Sequence, residues 1–268
     1  MRKATLAAIR AHAIAEYPRE CCGLVVSAED GSEVYVPCRN AAADGGQFVL
    51  SAEDYAAAED VGQVLAVAHS HPDALPTPSE ADRVACEASG LPWYIVEVRR
   101  GDDGMVATGG IRSFAPEGYQ APLIGRDFHH GILDCYSIIR DWYARERGVV
   151  LPDFAREDGW WEGDKELYLD HFAEAGFRRL ADDEPLQPGD VILMQVLSPR
   201  TNHAGIYLGG QPLAERPDLH PLAGAMLHHL YGRPSERVVY GGYWRDVTRV
   251  RLRHEFSPTH WGKKWSKN

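Results

Sequence analysis

The chain lacks any long apolar run, has few cysteines and carries fewer basic than acidic residues. Its 268 residues include 28 Lys and Arg against 39 Asp and Glu, which gives a formal net charge of −11. No stretch of about 18 apolar residues occurs, so a membrane span is not expected. Residues 1–6 lack the apolar core of a signal peptide. The acidic balance argues against broad nucleic-acid binding.

The cysteines fit neither a disulfide framework nor a metal-binding array. There are five of them, an odd number that includes the vicinal pair Cys21 and Cys22, and this favours synthesis in a reducing cytoplasm. No internal repeat or low-complexity tract is present. The length and a hydrophobic fraction of 44% suit two globular domains.

Two histidines at the end of an apolar run form the first chemical motif. His69 and His71 follow residues 64–68 and, two positions apart on a strand, point to the same side. Asp82 is a candidate third ligand for a metal ion, and Glu20 is a candidate to take a proton from metal-bound water. The spacing Ser79-x-x-Asp82 equally fits a capping box that only starts a helix.

Glu20, then His-x-His-Pro and then Ser-x-x-Asp together resemble the signature of the JAMM/MPN metalloproteases, over residues 1–115. The resemblance implies one zinc ion per chain, a general acid/base at Glu20 and an oxyanion-stabilising hydroxyl at Ser79. It implies peptide or isopeptide bonds as substrates and an α/β fold. Periodicity predicts helices over 6–15, 52–60 and 81–89 and strands over 23–27, 33–38, 93–98 and 109–114.

A cysteine at the start of a helical pattern forms the second motif. Cys135 opens a helix predicted over residues 135–147. The helix N-terminus is expected to lower the pKa of the thiol and to favour a thiolate nucleophile. The alternative is a small buried residue of a core helix. Strands are predicted at residues 191–193, at 202–209 beginning near His203, and at 225–230.

The order Asp-Cys, Pro-Gly-Asp and His-x-Gly-Ile-Tyr resembles the NlpC-type cysteine peptidases, which have a papain-like α+β fold and cut peptidoglycan stem peptides. The resemblance implies Cys135 as nucleophile and His203 as general base. It favours His228 over the adjacent His229 as the residue that orients the base. The family's upstream tyrosine has no clear counterpart, which leaves Arg126 or the Cys135 backbone N–H as oxyanion donor.

Three other segments carry weaker signals. Residues 211–223 lengthen a hairpin and could form a gating or partner-binding loop or a plain surface insertion. Trp160 and Trp161 are expected to pack together rather than to bind sugar. The basic tail, residues 256–268, could dock on a partner or fray in solvent.

The succession of the two domains, 1–115 and 119–255, resembles a family of phage tail tip assembly proteins. This implies tail tip proteins as partners, assembly in the host cytoplasm and action at the cell wall from the virion tail tip. It implies a bifunctional hydrolase, with a zinc peptidase that processes a tail protein and a cysteine peptidase that cuts peptidoglycan. The alternative is a structural docking protein with little or no turnover.

Overall fold

The computed structural model describes residues 1–42, 47–157 and 159–255. The chain divides into two compact units, residues 1–120 and 121–268. None of the helices in the described ranges is long and apolar enough to cross a membrane. The basic tail at 256–268, for which a docking role was considered, lies outside the described residues.

The first unit is a mixed five-stranded sheet with helices on it. Its helices and strands, in chain order, are α1 (Lys3–Glu16), β1 (Cys22–Ala28), β2 (Glu33–Cys38), α2 (Ala52–Val61), β3 (Gly62–Pro72), α3 (Glu80–Ser89), β4 (Trp93–Arg100) and β5 (Val106–Phe114). The strand order is β2-β1-β3-β4-β5. Every pairing is antiparallel except that of β3 with β4.

The parallel pair β3 and β4 is joined through α3, and this crossover positions the first motif. Because α3 follows β3 in the chain, its N-terminus lies near the strand's carboxyl end, where His69 and His71 are located. Buried side chains cover both faces of the sheet, with Ile9 and Val96 in one cluster and Leu24 and Val67 in the other. The sheet therefore provides a rigid base for the histidines.

The second unit is a helix packed on a six-stranded antiparallel sheet. Its elements are α4 (Cys135–Trp142), α5 (Leu167–His171), β6 (Phe177–Arg179), β7 (Val191–Met194), β8 (His203–Gly209), β9 (Ala225–His228), β10 (Glu236–Val239), α6 (Tyr243–Asp246) and β11 (Thr248–His254). The strand order is β10-β9-β8-β7-β11-β6. The helix predicted to reach Arg147 ends as an α-helix at Trp142 and continues to Arg147 as a π-helical turn.

Close packing of β8 against β9 brings two histidines together. Gly205 of β8 is opposite His228 of β9, so His203, two residues before Gly205, is a diagonal neighbour of His228 on the same face. A Cβ atom at Gly205 would lie 2.8 Å from the sulfur of Met226. Glycine at this position therefore permits the close approach of the two strands.

Candidate active sites

The first site consists of three side chains whose ligand atoms converge. The Nε2 atoms of His69 and His71 are 3.1 Å apart. The carboxylate oxygens of Asp82 lie 3.2 Å from His69 Nε2 and 3.3 Å from His71 Nε2. Ligands about 2.05 Å from a tetrahedral zinc are about 3.3 Å from one another. The three residues therefore fit a zinc ion without rearrangement.

Hydrogen bonds around the cluster fix its ligands. His71 Nδ1 is 3.0 Å from the carbonyl oxygen of Leu75, an arrangement that leaves its Nε2 lone pair directed at the cluster. Although burial acts to raise the pKa of Asp82, hydrogen bonds with His69 and His71 hold it well below its usual range. Burial lowers the pKa of His69. The cluster thus presents a carboxylate and a neutral imidazole, the forms that bind metals.

Asp82 belongs to the cluster and to a helix cap at once. Ser79 is the N-cap of α3, where its hydroxyl accepts a hydrogen bond from the Asp82 backbone N–H and its own N–H donates to Asp82 Oδ2. The two interpretations of Ser-x-x-Asp are therefore compatible, since the cap holds the Asp82 carboxylate beside His71. The Ser79 hydroxyl, predicted as an oxyanion donor, still has its own proton to donate.

Glu20 lies at the same edge of the sheet, just before β1. Its neighbour Cys21 exchanges hydrogen bonds with Ser70, the residue between the two histidines, at 2.9 and 3.1 Å. Asn40 donates to the Glu20 carbonyl oxygen at 3.0 Å. Burial acts to lower the pKa of His71, but Asp82, the Leu75 carbonyl and the charge of Glu20 raise it. Glu20 is thus electrostatically coupled to the cluster.

The second site lies at the N-terminus of α4. Cys135 is the first residue of this helix, and Asp134 caps it by accepting hydrogen bonds from the N–H groups of Tyr136 and Ser137. Asp134 also accepts from Arg156 Nε at 2.8 Å. The cap fixes the helix start and therefore the position of the thiol.

His203 and His228 are joined by a hydrogen bond. His203 Nε2 lies 3.0 Å from His228 Nδ1, and the Trp244 ring packs edge-on against His228 with the centroids 4.6 Å apart. Burial, aided by the nearby His228 and His229, lowers the pKa of His203 to about 3. His203 is therefore neutral at pH 7, with Nδ1 left to accept a proton.

The thiol and His203 line one cavity of about 470 Å³. Its walls are largely aromatic, and the charged pair Asp134 and Arg156 also borders it. The aromatic residues of the wall are Phe128, Trp160, Trp161, Tyr168 and Tyr231. The cavity can hold a peptide segment beside the thiol.

Comparison with known proteins agrees with this two-part organisation. The family described as prokaryotic homologs of the JAB domain matches residues 2–113, and the NlpC/P60 family matches residues 125–253. Over 258 residues the chain is 44% identical to tail tip assembly protein K of Escherichia phage N15, covering 95% of this chain and 96% of that protein. The chain belongs to the tail tip assembly protein K family. Another member, from Escherichia phage lambda, is 38% identical over 208 residues, 76% of this chain and 89% of that protein.

Two solved structures are also similar in part. A protein from Desulfitobacterium hafniense is 22% identical over 43% of this chain and 88% of its own, with a TM-score of 0.31. A protein from Salinibacter ruber is 24% identical over 48% of this chain and 98% of its own, with a TM-score of 0.29.

The family matches confirm the predicted fold classes, an α/β JAB/MPN-like domain and an α+β NlpC-type domain. The structure corrects the expected acidity of Cys135 in this member of the protein K family. Burial, together with the charge of Asp134, raises the pKa of the Cys135 thiol to about 11. The helix N-terminus was expected to lower it, but a partly buried thiolate beside a carboxylate costs more than the helix end contributes. Cys135 is a neutral thiol at rest.

Of the two groups considered in place of the upstream tyrosine, the Arg126 side chain contacts other residues of the second unit. The guanidinium of Arg126 is buried against Asp141 and Ser137. A residue that the sequence did not indicate, Tyr168, has its hydroxyl 3.0 Å from Cys135 Sγ. Nothing in the spacing marks this tyrosine, which lies in a stretch without regular periodicity.

The weaker signals of the second unit also have definite positions. Residues 211–223 do not line the cavity. Leu213 is buried in the core. The Ala214 backbone N–H donates to Glu146, and Arg145 donates to Glu215. Trp160 and Trp161 pack edge-to-face as expected, with centroids 6.1 Å apart, and in addition they form part of the cavity wall.

Proposed function

We propose that this protein acts in phage tail tip assembly and that its second domain is a cysteine endopeptidase for peptidoglycan stem peptides. The observation that carries the proposal is the presence of Cys135 and His203 in one peptide-sized cavity, with His228 hydrogen-bonded to His203. The NlpC/P60 match supports peptidase chemistry. Membership of the protein K family supports tail tip proteins as partners, assembly in the host cytoplasm and action from the virion tail tip.

In the proposed reaction, Cys135 Sγ attacks the carbonyl carbon of the scissile amide while His203 Nδ1 takes the thiol proton. Because the thiol has a pKa of about 11 and His203 one of about 3, this transfer accompanies C–S bond formation instead of preceding it. His203 then gives the proton to the leaving amine as the C–N bond breaks. Water hydrolyses the thioester and restores the thiol.

The hydrogen bond to His228 is compatible with the tautomer that the base requires. For Nδ1 of neutral His203 to accept a proton, its Nε2 must carry the hydrogen and donate to His228 Nδ1. His228 then carries its hydrogen on Nε2, which lies 4.0 Å from a carboxylate oxygen of Glu236. In this tautomer the hydrogen bond lets His228 orient the ring of His203 for its role as base.

The test is digestion of purified peptidoglycan by the full-length protein and by Cys135→Ala, with the released peptides identified by mass spectrometry. We expect new stem-peptide termini with the wild-type protein alone. Release of the same peptides by both proteins, or by neither, contradicts the cysteine-peptidase proposal. Absence of turnover favours a structural docking role.

For the first domain we propose a zinc peptidase that processes a tail protein, with His69, His71 and Asp82 as ligands. A bound zinc ion would supply an acidified water and a Lewis acid. Glu20 would take the proton of the attacking water and pass it to the leaving amine. The Ser79 hydroxyl would donate to the oxyanion.

The variant Glu20→Gln tests this role, because an amide cannot carry the proton. We expect it to retain zinc and to lose cleavage of tail proteins co-expressed with it, as read by mass spectrometry of those proteins. Glu16→Gln, a change of an acidic residue at the C-terminal end of α1, is the matched control. Full cleavage by Glu20→Gln contradicts the assignment.

A further inference from the structure

Tyr168 brings a hydroxyl into direct contact with the nucleophile. Its Oη lies 3.0 Å from Cys135 Sγ, whereas the Asn202 carbonyl oxygen is 4.0 Å away. The same tyrosine lines the cavity that holds Cys135 and His203. Because the contact is with a reacting atom, it bears on chemistry as well as on packing.

The hydroxyl is held in place from two sides. The Tyr168 ring packs edge-to-face with Trp160 and with Tyr136, with centroids 6.0 and 6.2 Å apart. In the segment before it, Glu166 accepts a hydrogen bond from the Thr201 backbone N–H at 3.1 Å. This bond ties the tyrosine segment to the loop that leads into His203. The hydroxyl is therefore positioned before substrate binds.

The phenol is a hydrogen-bond donor under working conditions. Burial, together with the neighbouring Cys135 and Asp134, raises the pKa of Tyr168 well above its usual value, so the hydroxyl keeps its proton at neutral pH. A protonated phenol beside sulfur stabilises negative charge that forms there. Conversely, its hydrogen bond acts to lower the pKa of Cys135, against the larger effect of burial.

We propose that Tyr168 is a catalytic residue of the cysteine site, which donates its hydrogen bond first to Cys135 Sγ and then to the oxyanion of the tetrahedral intermediate. This rests on the proposed peptidase function of the second domain. When Sγ bonds to the carbonyl carbon, the C=O electron pair moves to an oxygen only two bonds from the sulfur. A donor that contacts the sulfur can reach that oxygen.

The backbone N–H of Cys135 supplies the second donor. As the first residue of α4 it has no acceptor within the helix. A hydroxyl and a helix N–H on the two sides of the oxyanion form a two-donor site. On collapse of the intermediate the electron pair returns to carbon, the C–N bond breaks and the Tyr168 proton stays on its oxygen throughout.

The test is Tyr168→Phe in the full-length protein, which removes one oxygen atom and keeps the ring. Tyr136→Phe is the matched control, because its hydroxyl belongs to the same aromatic cluster but donates to the Pro152 carbonyl oxygen at 2.8 Å. We expect kcat for stem-peptide release to fall about 100-fold in Tyr168→Phe with little change in KM. Tyr136→Phe should stay within about threefold of wild type, and thermal unfolding should show that both variants fold.

A second readout does not depend on turnover. The rate of iodoacetamide alkylation of Cys135 at pH 8 should fall about tenfold in Tyr168→Phe, since a hydrogen bond to a charged group contributes about 1.5 kcal/mol, and should be unchanged in Tyr136→Phe. If the wild-type protein cleaves and Tyr168→Phe cleaves at the same rate, the Tyr168 assignment is overturned and the peptidase proposal stands. If the wild-type protein does not cleave, the peptidase proposal fails and the catalytic assignment of Tyr168 fails with it.

Discussion

At the scale of single residues, the state of Cys135 decides the kind of cysteine chemistry that is possible. Its thiol has a pKa of about 11 and His203 one of about 3, so a preformed thiolate–imidazolium pair is disfavoured at neutral pH. The other four cysteines also have raised pKa values, because all of them are buried. Cys135 alone among the five is partly exposed. Thiol reagents should therefore select Cys135 because it is more accessible than the other cysteines, and not because its thiol is more acidic.

We predict that iodoacetamide alkylates Cys135 before the other cysteines and that the rate rises about tenfold per pH unit between pH 7 and 9, since the thiolate fraction grows with pH below the pKa. Peptide mass spectrometry after timed quenching measures both effects. Cys86, buried with a pKa of about 11, is the internal control. A rate that levels off below pH 8 would show that a thiolate–imidazolium pair forms.

At the scale of elements, the two sites are built where a helix begins. The N-terminus of α3 carries the cap that orients Asp82 toward two strand histidines. The N-terminus of α4 carries the Asp134 cap that fixes Cys135. In both cases the capping hydrogen bonds determine where a reactive or ligating side chain points.

We predict that the full-length protein binds one zinc ion per chain and that His69→Ala combined with His71→Ala removes it, because a single remaining carboxylate does not retain the ion. Elemental analysis of the purified folded protein measures the content. His12→Gln is the control, since His12 belongs to the same unit but is hydrogen-bonded to Tyr35 outside the cluster. Unchanged zinc in the double variant would exclude this site.

The start of α4 also depends on a buried ion pair. Arg156 Nε donates to Asp134 at 2.8 Å, and the two side chains are 7% and 2% exposed. Burial acts to raise the pKa of Asp134, but the charge of Arg156 and hydrogen bonds from Ser137 and Arg156 lower it overall. A carboxyl whose pKa is depressed in the folded state stabilises that state at pH values above its unfolded-state pKa of about 4. This stabilisation is lost as the pH falls from about 4 through the lower pKa of the folded state.

We predict that Arg156→Met lowers the free energy of unfolding by about 3 kcal/mol at pH 7, because it leaves Asp134 as an unpaired buried charge. The difference in free energy of unfolding between this variant and the wild type should become smaller below about pH 4. Denaturant unfolding at both pH values measures it. Arg140→Met removes a more exposed pair with Asp153, whose side chains are 31% and 53% exposed, and should cost less than about 1 kcal/mol. Equal losses in both variants would contradict the proposed importance of the buried pair.

At the scale of the whole molecule, the chain joins two compact units with separate sheets and separate cores. Each unit contains its own complete candidate site. No ligand of the histidine cluster belongs to the second unit, and every residue that lines the cysteine cavity does. The two proposed activities should therefore be chemically independent.

We predict that a chelator such as EDTA leaves the release of stem peptides unchanged within about twofold while it abolishes the activity of the first domain, because zinc takes no part in thiol chemistry. Circular dichroism before and after metal removal checks that the fold persists. Cys135→Ala should lose the release of stem peptides and keep the activity of the first domain. Loss of stem-peptide release in a chelated protein that remains folded would contradict independence.

Family resemblance indicated the order of the two domains, and local sequence patterns indicated the polar residues near each start of a helix. Local geometry accounts for the first cluster, because His69, His71 and Asp82 lie on one strand–loop–helix unit shaped by strand alternation and a cap. The same holds for Asp134 and Cys135. The preference for His228 came from the family resemblance, since alternation shows only that one of the two adjacent histidines can serve. The structure places the His228 ring within hydrogen-bonding distance of His203.

Contacts between segments that are distant in the sequence depend on the tertiary structure. The approach of Tyr168 to Cys135 across 33 positions depends on how the short helix α5 packs against α4, and such packing has no local signature. The raised pKa of Cys135 likewise results from burial and from the charge of Asp134. Burial is set by all the neighbours that the fold assembles, whereas a helix N-terminus can be recognised from the sequence, so the sequence revealed only the weaker of the two effects.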